Sequence, residues 1–348
     1  MEPVISKGLK ALGLTDLVAG TESSNFTGNE YYEVRKIDGK GYGCVALQDI
    51  KRGTRILADS PLLIVPIAEY VKADVERPFE KLSPADQKLY FSLASGHGQD
   101  PKNWPSKIHE SVRGRESQRI QEQHEARVSK EPSVVSIFQT NCMEWNEGAA
   151  VFPNAARFNH SCNPNANFTW NPAIEKETIH TINDVKKGDE ITLSYCDMTH
   201  EKAHRTWELK HYGFVCDCPA CTGSEEDPEC FAYQSAERRF RIAELNRATK
   251  MLRGKRLEQA IGNKDWVPQM LELASLYKDE GDYTCRLADV HLDLALVCEQ
   301  TGDLKHALEF AANALKVKRE SQGADFPDYG KYKTVLRRIN GKYKAQRP

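Results

Sequence analysis

No stretch of the 348-residue chain approaches the ~20 consecutive apolar residues that a membrane-spanning helix needs. Met1–Lys10 carries lysines but no apolar h-region, so the expectation is a protein that is not secreted and that resides in the cytoplasm, the nucleus or both. Neither sign of charge prevails. The 48 Lys and Arg stand against 50 Asp and Glu, a net charge of −2, which gives no global pull toward nucleic acid or an anionic membrane. Cysteine is absent between Cys44 and Cys142, although the chain has 10 in all. With no export signal, those thiols point to metal ligation or core packing rather than disulfides. The 40% hydrophobic content supports a sizeable core, and the length favours two domains.

The pattern along the chain is mixed. Residues 1–29 read as a polar leader ending in Ser23, Ser24 and Asn25. Tyr31–Ile37, Gly43–Leu47, Thr54–Leu57 and Leu62–Ile67 are short β-favouring runs, punctuated by Asp38-Gly39 and Arg52-Gly53. Residues 69–131 read as helical, the charged part from Lys107 to Lys130 being a solvated helix or a linker. A second β set follows at Asn167–Trp170, Thr178–Ile182 and Glu190–Tyr195, separated by Asn163-Pro164 and Gly188-Asp189.

Beyond residue 222 the period becomes helical: Val267, Leu271, Ala274 and Tyr277; Leu287, His291, Leu294 and Cys298; Leu304, Leu308, Ala311 and Leu315. Gly281-Asp282 and Gly302-Asp303 mark turns between them. Such pairs resemble hairpins of tetratricopeptide type, without a cleanly visible ~34-residue repeat, and read either as a plain helical domain or as a peptide-docking wall. Residues 331–348 hold seven Lys or Arg and no acidic residue, which reads as a solvated terminal helix rather than a docking patch.

Cys216, Cys218 and Cys221 crowd three thiols into six residues, a density that packing does not explain. Zinc suits such a site because it takes four sulfurs tetrahedrally and has no redox chemistry. The fourth ligand is Cys162 or Cys230 by position. A four-sulfur site is closed, hence structural. Cys44, Cys285 and Cys298 read as ordinary core thiols.

Three segments carry a family likeness: Gly39-Lys40-Gly41-Tyr42-Gly43, Asn159-His160-Ser161-Cys162-Asn163-Pro164-Asn165, and Gly188-Asp189-Glu190-Ile191-Thr192-Leu193-Ser194-Tyr195. With the Cys-x-Cys-x-x-Cys that follows, their order and spacing resemble a SET-domain methyltransferase, most of all the SET-and-MYND class of protein lysine methyltransferases, over roughly residues 30–330. That class inserts a finger of seven cysteines and a histidine after the first strands. The cysteine gap leaves such a finger without ligands there, which puts recruitment through it in doubt.

The resemblance implies an α+β protein. A β-rich SET domain at 30–215, threaded as a pseudoknot, carries a helical insertion at about 69–131. A post-SET zinc segment at 216–222 follows, then a helical tetratricopeptide-like domain at 223–348. It implies S-adenosylmethionine as cofactor, with Lys40 and Tyr42 flanking the methionine end. Asn159 and His160 meet the ribose and adenine, Asn141 lies on a strand lining the same pocket, and Phe214 stacks on the adenine or closes the channel. Structural Zn2+ on Cys162, Cys216, Cys218 and Cys221 would clamp the His160 loop to the Phe214 segment.

Tyr195 is then the central catalytic residue, with Tyr212 and Phe214 as walls of a substrate channel. Displacement at a sulfonium methyl by an amine is mainly a matter of alignment. Neutralising a lysine near pH 7 costs about 4–5 kcal/mol, which an apolar channel and a nearby positive charge reduce. The acceptor expected is a protein lysine, histone or not. The alternatives are a small-molecule amine, or a binding scaffold without turnover.

Overall fold

The computed structural model describes residues 28–104, 108–224, 226–250, 261–263 and 265–346. The leader expected at 1–29 lies almost wholly outside the described residues. The chain divides into two compact units: residues 59–157 with 211–213, and residues 30–58, 158–210 and 214–348.

The second unit holds the motif segments. Its first sheet is built from β1 (Tyr32–Ile37), β2 (Gly41–Ala46), β7 (Asn159–His160) and β10 (Glu190–Leu193), in the order β1-β2-β10-β7. The Asp38–Lys40 turn closes the β1–β2 hairpin, with Gly39 and Gly41 both at φ 75°, a region glycine enters without steric penalty. β10 runs antiparallel to β2, Ile191 facing Cys44, and parallel to β7, Thr192 facing Asn159 and Leu193 facing His160. Cys44, Val45 and Ala46 are buried. A second sheet orders β3 (Arg55–Asp59), β9 (Lys176–Thr181) and β8 (Ala166–Asn171).

The same unit continues into helices. α5 (Lys202–Leu209) precedes the cysteine cluster, and α6 (Phe231–Thr249), α7 (Trp266–Asp279), α8 (Cys285–Gln300), α9 (Leu304–Gln322) and α10 (Tyr329–Ala345) follow it. Each of the last five packs on the next, and α9 also packs on β9 and β8. Their core includes Trp266, Leu287, Leu294, Ala311 and Ile339. Both Gly-Asp turns are helix stops: Gly281 (φ 79°) and Gly302 (φ 83°) take the left-handed conformation. Asp303 then caps α9 by accepting from the His306 backbone N–H.

Leu271 departs from expectation, being 44% exposed; the buried stripe of α7 is Met270, Leu273, Ala274 and Tyr277. The basic terminal stretch is a helix with Tyr332, Val335 and Ile339 buried. Arg338 and Lys342 both pair with Glu299, at 2.6 and 2.8 Å.

Among the described residues, the first unit is a small sheet of β4 (Leu63–Val65), β6 (Gly148–Val151) and β5 (Cys142–Trp145), with four α-helices. These are α1 (Lys72–Glu80), α2 (Pro84–Phe91), α3 (Gly114–Val128) and α4 (Val134–Asn141). Charged α3 answers the solvated helix read between Lys107 and Lys130. Phe79 and Tyr90 pack at 5.2 Å between ring centres, and the Tyr90 hydroxyl donates to the Val134 carbonyl.

Asn141 is corrected here: it is the last residue of helix α4, not a strand residue. Its amide donates to the carbonyls of Ala94 and Ile137, each at 2.7 Å. Val134, Val135 and Ile137 suit a strand by propensity, but Ser133 caps the segment through the Ser136 N–H and turns it helical. Tyr212 closes a short 3-10 turn, Lys210–Tyr212.

Candidate active site

In the second unit the Asn159–Asn165 segment is fastened to β10 at several points. The Ser161 N–H donates to the Leu193 carbonyl. Asn165 donates from its amide nitrogen to the Glu190 carbonyl and accepts the Thr192 N–H. This brings His160 beside Tyr195, which lies two residues past the end of β10, and Asn159 opposite Thr192.

His160 is 5% exposed. Its Nδ1 accepts the Tyr195 backbone N–H at 2.9 Å, so the proton of the neutral ring sits on Nε2, which faces Cys162 Sγ at 3.2 Å. Burial, before any neighbouring charge, holds this imidazole down to about 4, so it is neutral at physiological pH. His160 therefore acts by position, fixing the backbone of Tyr195 from one ring edge. The Tyr195 hydroxyl donates to the Phe158 carbonyl at 2.6 Å. The Phe214 ring lies 5.9 Å from His160 and 6.5 Å from Tyr195, edge-on to the latter, and is 39% exposed.

A charged chain adjoins these rings. Lys40 Nζ is 3.3 Å from both Glu190 and Asp217, and Glu190 Oε1 accepts from Asn159 Nδ2 at 2.8 Å. Burial opposes the lysine's charge, but the two carboxylates outweigh it and hold the ammonium above its ordinary range. Tyr42, on β2, is half-exposed.

Gly43 is required by this network. A β-carbon there would sit 2.5 Å from Asn159 Nδ2 and from Ile37 Cδ1, and 2.9 Å from Glu190 Oε1. Gly43→Ala is expected to destabilise the chain by about 1–3 kcal/mol, the usual range for overpacking. A urea titration checks it: an unchanged midpoint refutes the assignment.

The four-cysteine group closes around Cys162. Its sulfur lies 3.9 Å from that of Cys216 and 3.5 Å from that of Cys221, and the sulfurs of Cys162, Cys216, Cys218 and Cys221 are all within 4.8 Å of one another. Zn–S bonds of about 2.3 Å set tetrahedral sulfurs about 3.8 Å apart, so this donor set fits Zn2+. All ten cysteines are free thiols. Of the two positions open for the fourth ligand, Cys162 is the one whose sulfur lies among the other three. Cys196 also approaches, within 4.8 Å of the Cys162 and His160 donors.

Four thiolates around Zn2+ carry a net negative charge, and buried arginines surround them. Arg205 Nη2 donates toward Cys221 Sγ at 3.7 Å and to the Ala220 carbonyl at 3.3 Å. Arg239 Nη2 donates to the Cys162 carbonyl at 2.5 Å. Arg239 is in turn held by Glu280, which also accepts from Arg238 at 2.7 Å and Ser235 at 2.5 Å.

Thus Lys40, Asn159, His160, Tyr195, Phe214 and the four cysteines share one unit, while Asn141 and Tyr212 belong to the other. Glu190, Asp217, Arg205, Arg239 and Glu280 escape sequence reasoning. Glu190 alone had a signal, since it lies within the Gly-Asp-Glu motif; the others are single charges in a charge-rich chain.

Comparison with known proteins follows the same segments. The model of the SET domain matches residues 41–196. The chain is similar to the histone-lysine N-methyltransferase set5 of Schizosaccharomyces pombe, at 28% identity over 203 residues, covering 56% of this chain and 52% of that protein. It is 29% identical over 217 residues to the putative SET domain-containing protein L678 of Acanthamoeba polyphaga mimivirus, covering 57% and 79%. With the N-lysine methyltransferase SMYD2 of Gallus gallus it shares 34% identity over 105 residues, 28% of this chain and 24% of that one. The chain thus spans about half the length of the yeast relative and a quarter of SMYD2. Among the described residues, no helix is long and apolar enough to cross a membrane. The matched span begins at β2 of the hairpin and ends one residue past Tyr195, enclosing both strand motifs, so residues 41–196 are similar to a SET domain.

Proposed function

We propose that this chain is an S-adenosylmethionine-dependent N-methyltransferase whose acceptor is a lysine side chain of a protein. The observation that carries the reading is the Tyr195 site: a hydroxyl bonded to a main-chain carbonyl, a backbone fixed by a neutral buried histidine, and Asn159 next to that histidine on β7. The names of the yeast and avian relatives, both lysine methyltransferases, support it.

The cofactor supplies an electrophilic methyl group on sulfur. Lys40 offers a cation to the cofactor's carboxylate, with Glu190 and Asp217 keeping it charged. Asn159, steadied by Glu190, offers amide groups to the ribose hydroxyls. Phe214 presents an aromatic face for stacking. Tyr195 Oη and the Phe158 carbonyl oxygen form a pair of acceptors that orient the acceptor nitrogen once it is neutral. No carboxylate base is needed, because apolar surroundings lower the lysine pKa. The extent of the helical domain beyond the site favours a protein acceptor over a small amine.

Tyr195→Phe tests the reading. Methyl transfer to a mixed pool of lysine-containing proteins is expected to fall about 10²-fold or more, the scale for losing one aligned transition-state hydrogen-bonding group. Calorimetric S-adenosylmethionine binding should be retained. Binding without turnover in the unmodified chain would instead favour the scaffold role.

A further inference from the structure

A second cluster of metal-type ligands lies at the start of α5 and on its face. His204 and Glu208 are four residues apart and so project from one helix face. His200 precedes the helix and is folded back onto that face by two anchors. Asp197 Oδ1 accepts both the N–H and the hydroxyl of Thr199 at 2.8 Å, and is itself paired with Arg286 at 3.0 Å. Arg205 Nη1 donates to the His200 carbonyl at 2.6 Å. The two imidazoles consequently stack, centres 4.0 Å apart and planes within 5°, while His200 Nδ1 lies 3.0 Å from Glu208 Oε2. One nitrogen of each ring and a Glu208 oxygen fall within 4.8 Å of one another.

We propose that His200, His204 and Glu208 form an accessory site for a divalent transition-metal ion of the zinc class, separate from the four-thiolate site. A carboxylate that needed only a hydrogen bond would be served by His200 alone; the second stacked ring adds a further nitrogen donor with no other assigned use. Two imidazoles and one carboxylate suit Zn2+, Ni2+ or Cu2+, and are too few and too nitrogen-rich for Ca2+ or Mg2+. Metal–ligand bonds of about 2.0–2.1 Å place tetrahedral ligand atoms about 3.3 Å apart, close to the existing His200–Glu208 separation. His204 is exposed and closes the triangle by a change of rotamer. Three protein ligands leave a coordination position for water, so this ion exchanges where the thiolate-bound one does not.

The test uses the full chain after brief chelation, with thiolate-bound metal counted by elemental analysis. Calorimetric titration with Zn2+, repeated with Ni2+, is expected to show one saturable equivalent beyond that count. His204→Ala and Glu208→Gln should each weaken it at least ~10-fold, since even a lost outer-shell partner costs 10–100-fold. The thiolate count should not change. No additional equivalent in the unmodified chain, or equal uptake by both variants, overturns the proposal.

Discussion

Cys216→Ser is expected to strip the four-thiolate metal and methyl transfer from the chain together. The reason lies in what the cluster joins. Cys162 follows the Asn159–His160 strand by two residues, and Cys216 follows Phe214 by two, with their sulfurs 3.9 Å apart. An ion shared between them would hold the aromatic ring against the histidine loop. Without it, two short loops must be ordered by hydrogen bonds alone, and the negative sulfurs lose the charge that balanced them. Structural zinc sites of this kind carry about 10–16 kcal/mol of apparent binding energy, so a partial effect is not expected. Elemental analysis should give about one thiolate-bound zinc in the unmodified chain and almost none in the variant. A zinc-free variant that keeps its activity rejects the coupling, even if the unmodified chain proves to be a methyltransferase.

Glu280→Ala is expected to lower the stability of the chain by about 3–5 kcal/mol, the range for removing one partner of a buried ion pair. Glu280 ends α7 and stands between two arginines of α6, Arg238 and Arg239, the latter 1% exposed. Its removal leaves two neighbouring cations without a counter-charge and frees the Arg239 grip on the Cys162 carbonyl. Glu280→Gln keeps acceptors for Ser235 and Arg239 and should lose less. Urea midpoints followed by far-UV circular dichroism give the comparison; equal midpoints for the alanine variant and the parent would show the pair to be dispensable.

Much of this was legible because it is local. Gly281 and Gly302 stop helices where the Gly-Asp pairs mark turns, and the Cys216–Cys221 spacing by itself points to sulfurs gathered in one place. What escaped is long-range. Nothing in spacing could choose Cys162 over Cys230, since the choice depends on β7 lying beside β10. Asn141 differs for another reason: the resemblance places it on a strand, whereas the Ser133 cap starts a helix that runs to Asn141. The stripe on α7 was read one residue out of phase at Leu271, where Met270 takes the core position. The arginines around the thiolates were invisible, because an ordinary surface arginine and a buried counter-ion are the same letter.

The place of β10 in its sheet also sets an order of events during synthesis. It joins β2 on one side and β7 on the other, pairing Glu190 with Val45 and Leu193 with His160. The β1–β2 hairpin therefore leaves the ribosome long before its neighbour exists, presenting Cys44–Ala46 along an open edge. Closure of that edge is a late, non-local step, of the sort that folds slowly and invites chaperones. Cys216, Cys218 and Cys221 arrive later still, so loading of a metal on the four thiols would follow the sheet and serve as a latch on a chain already assembled.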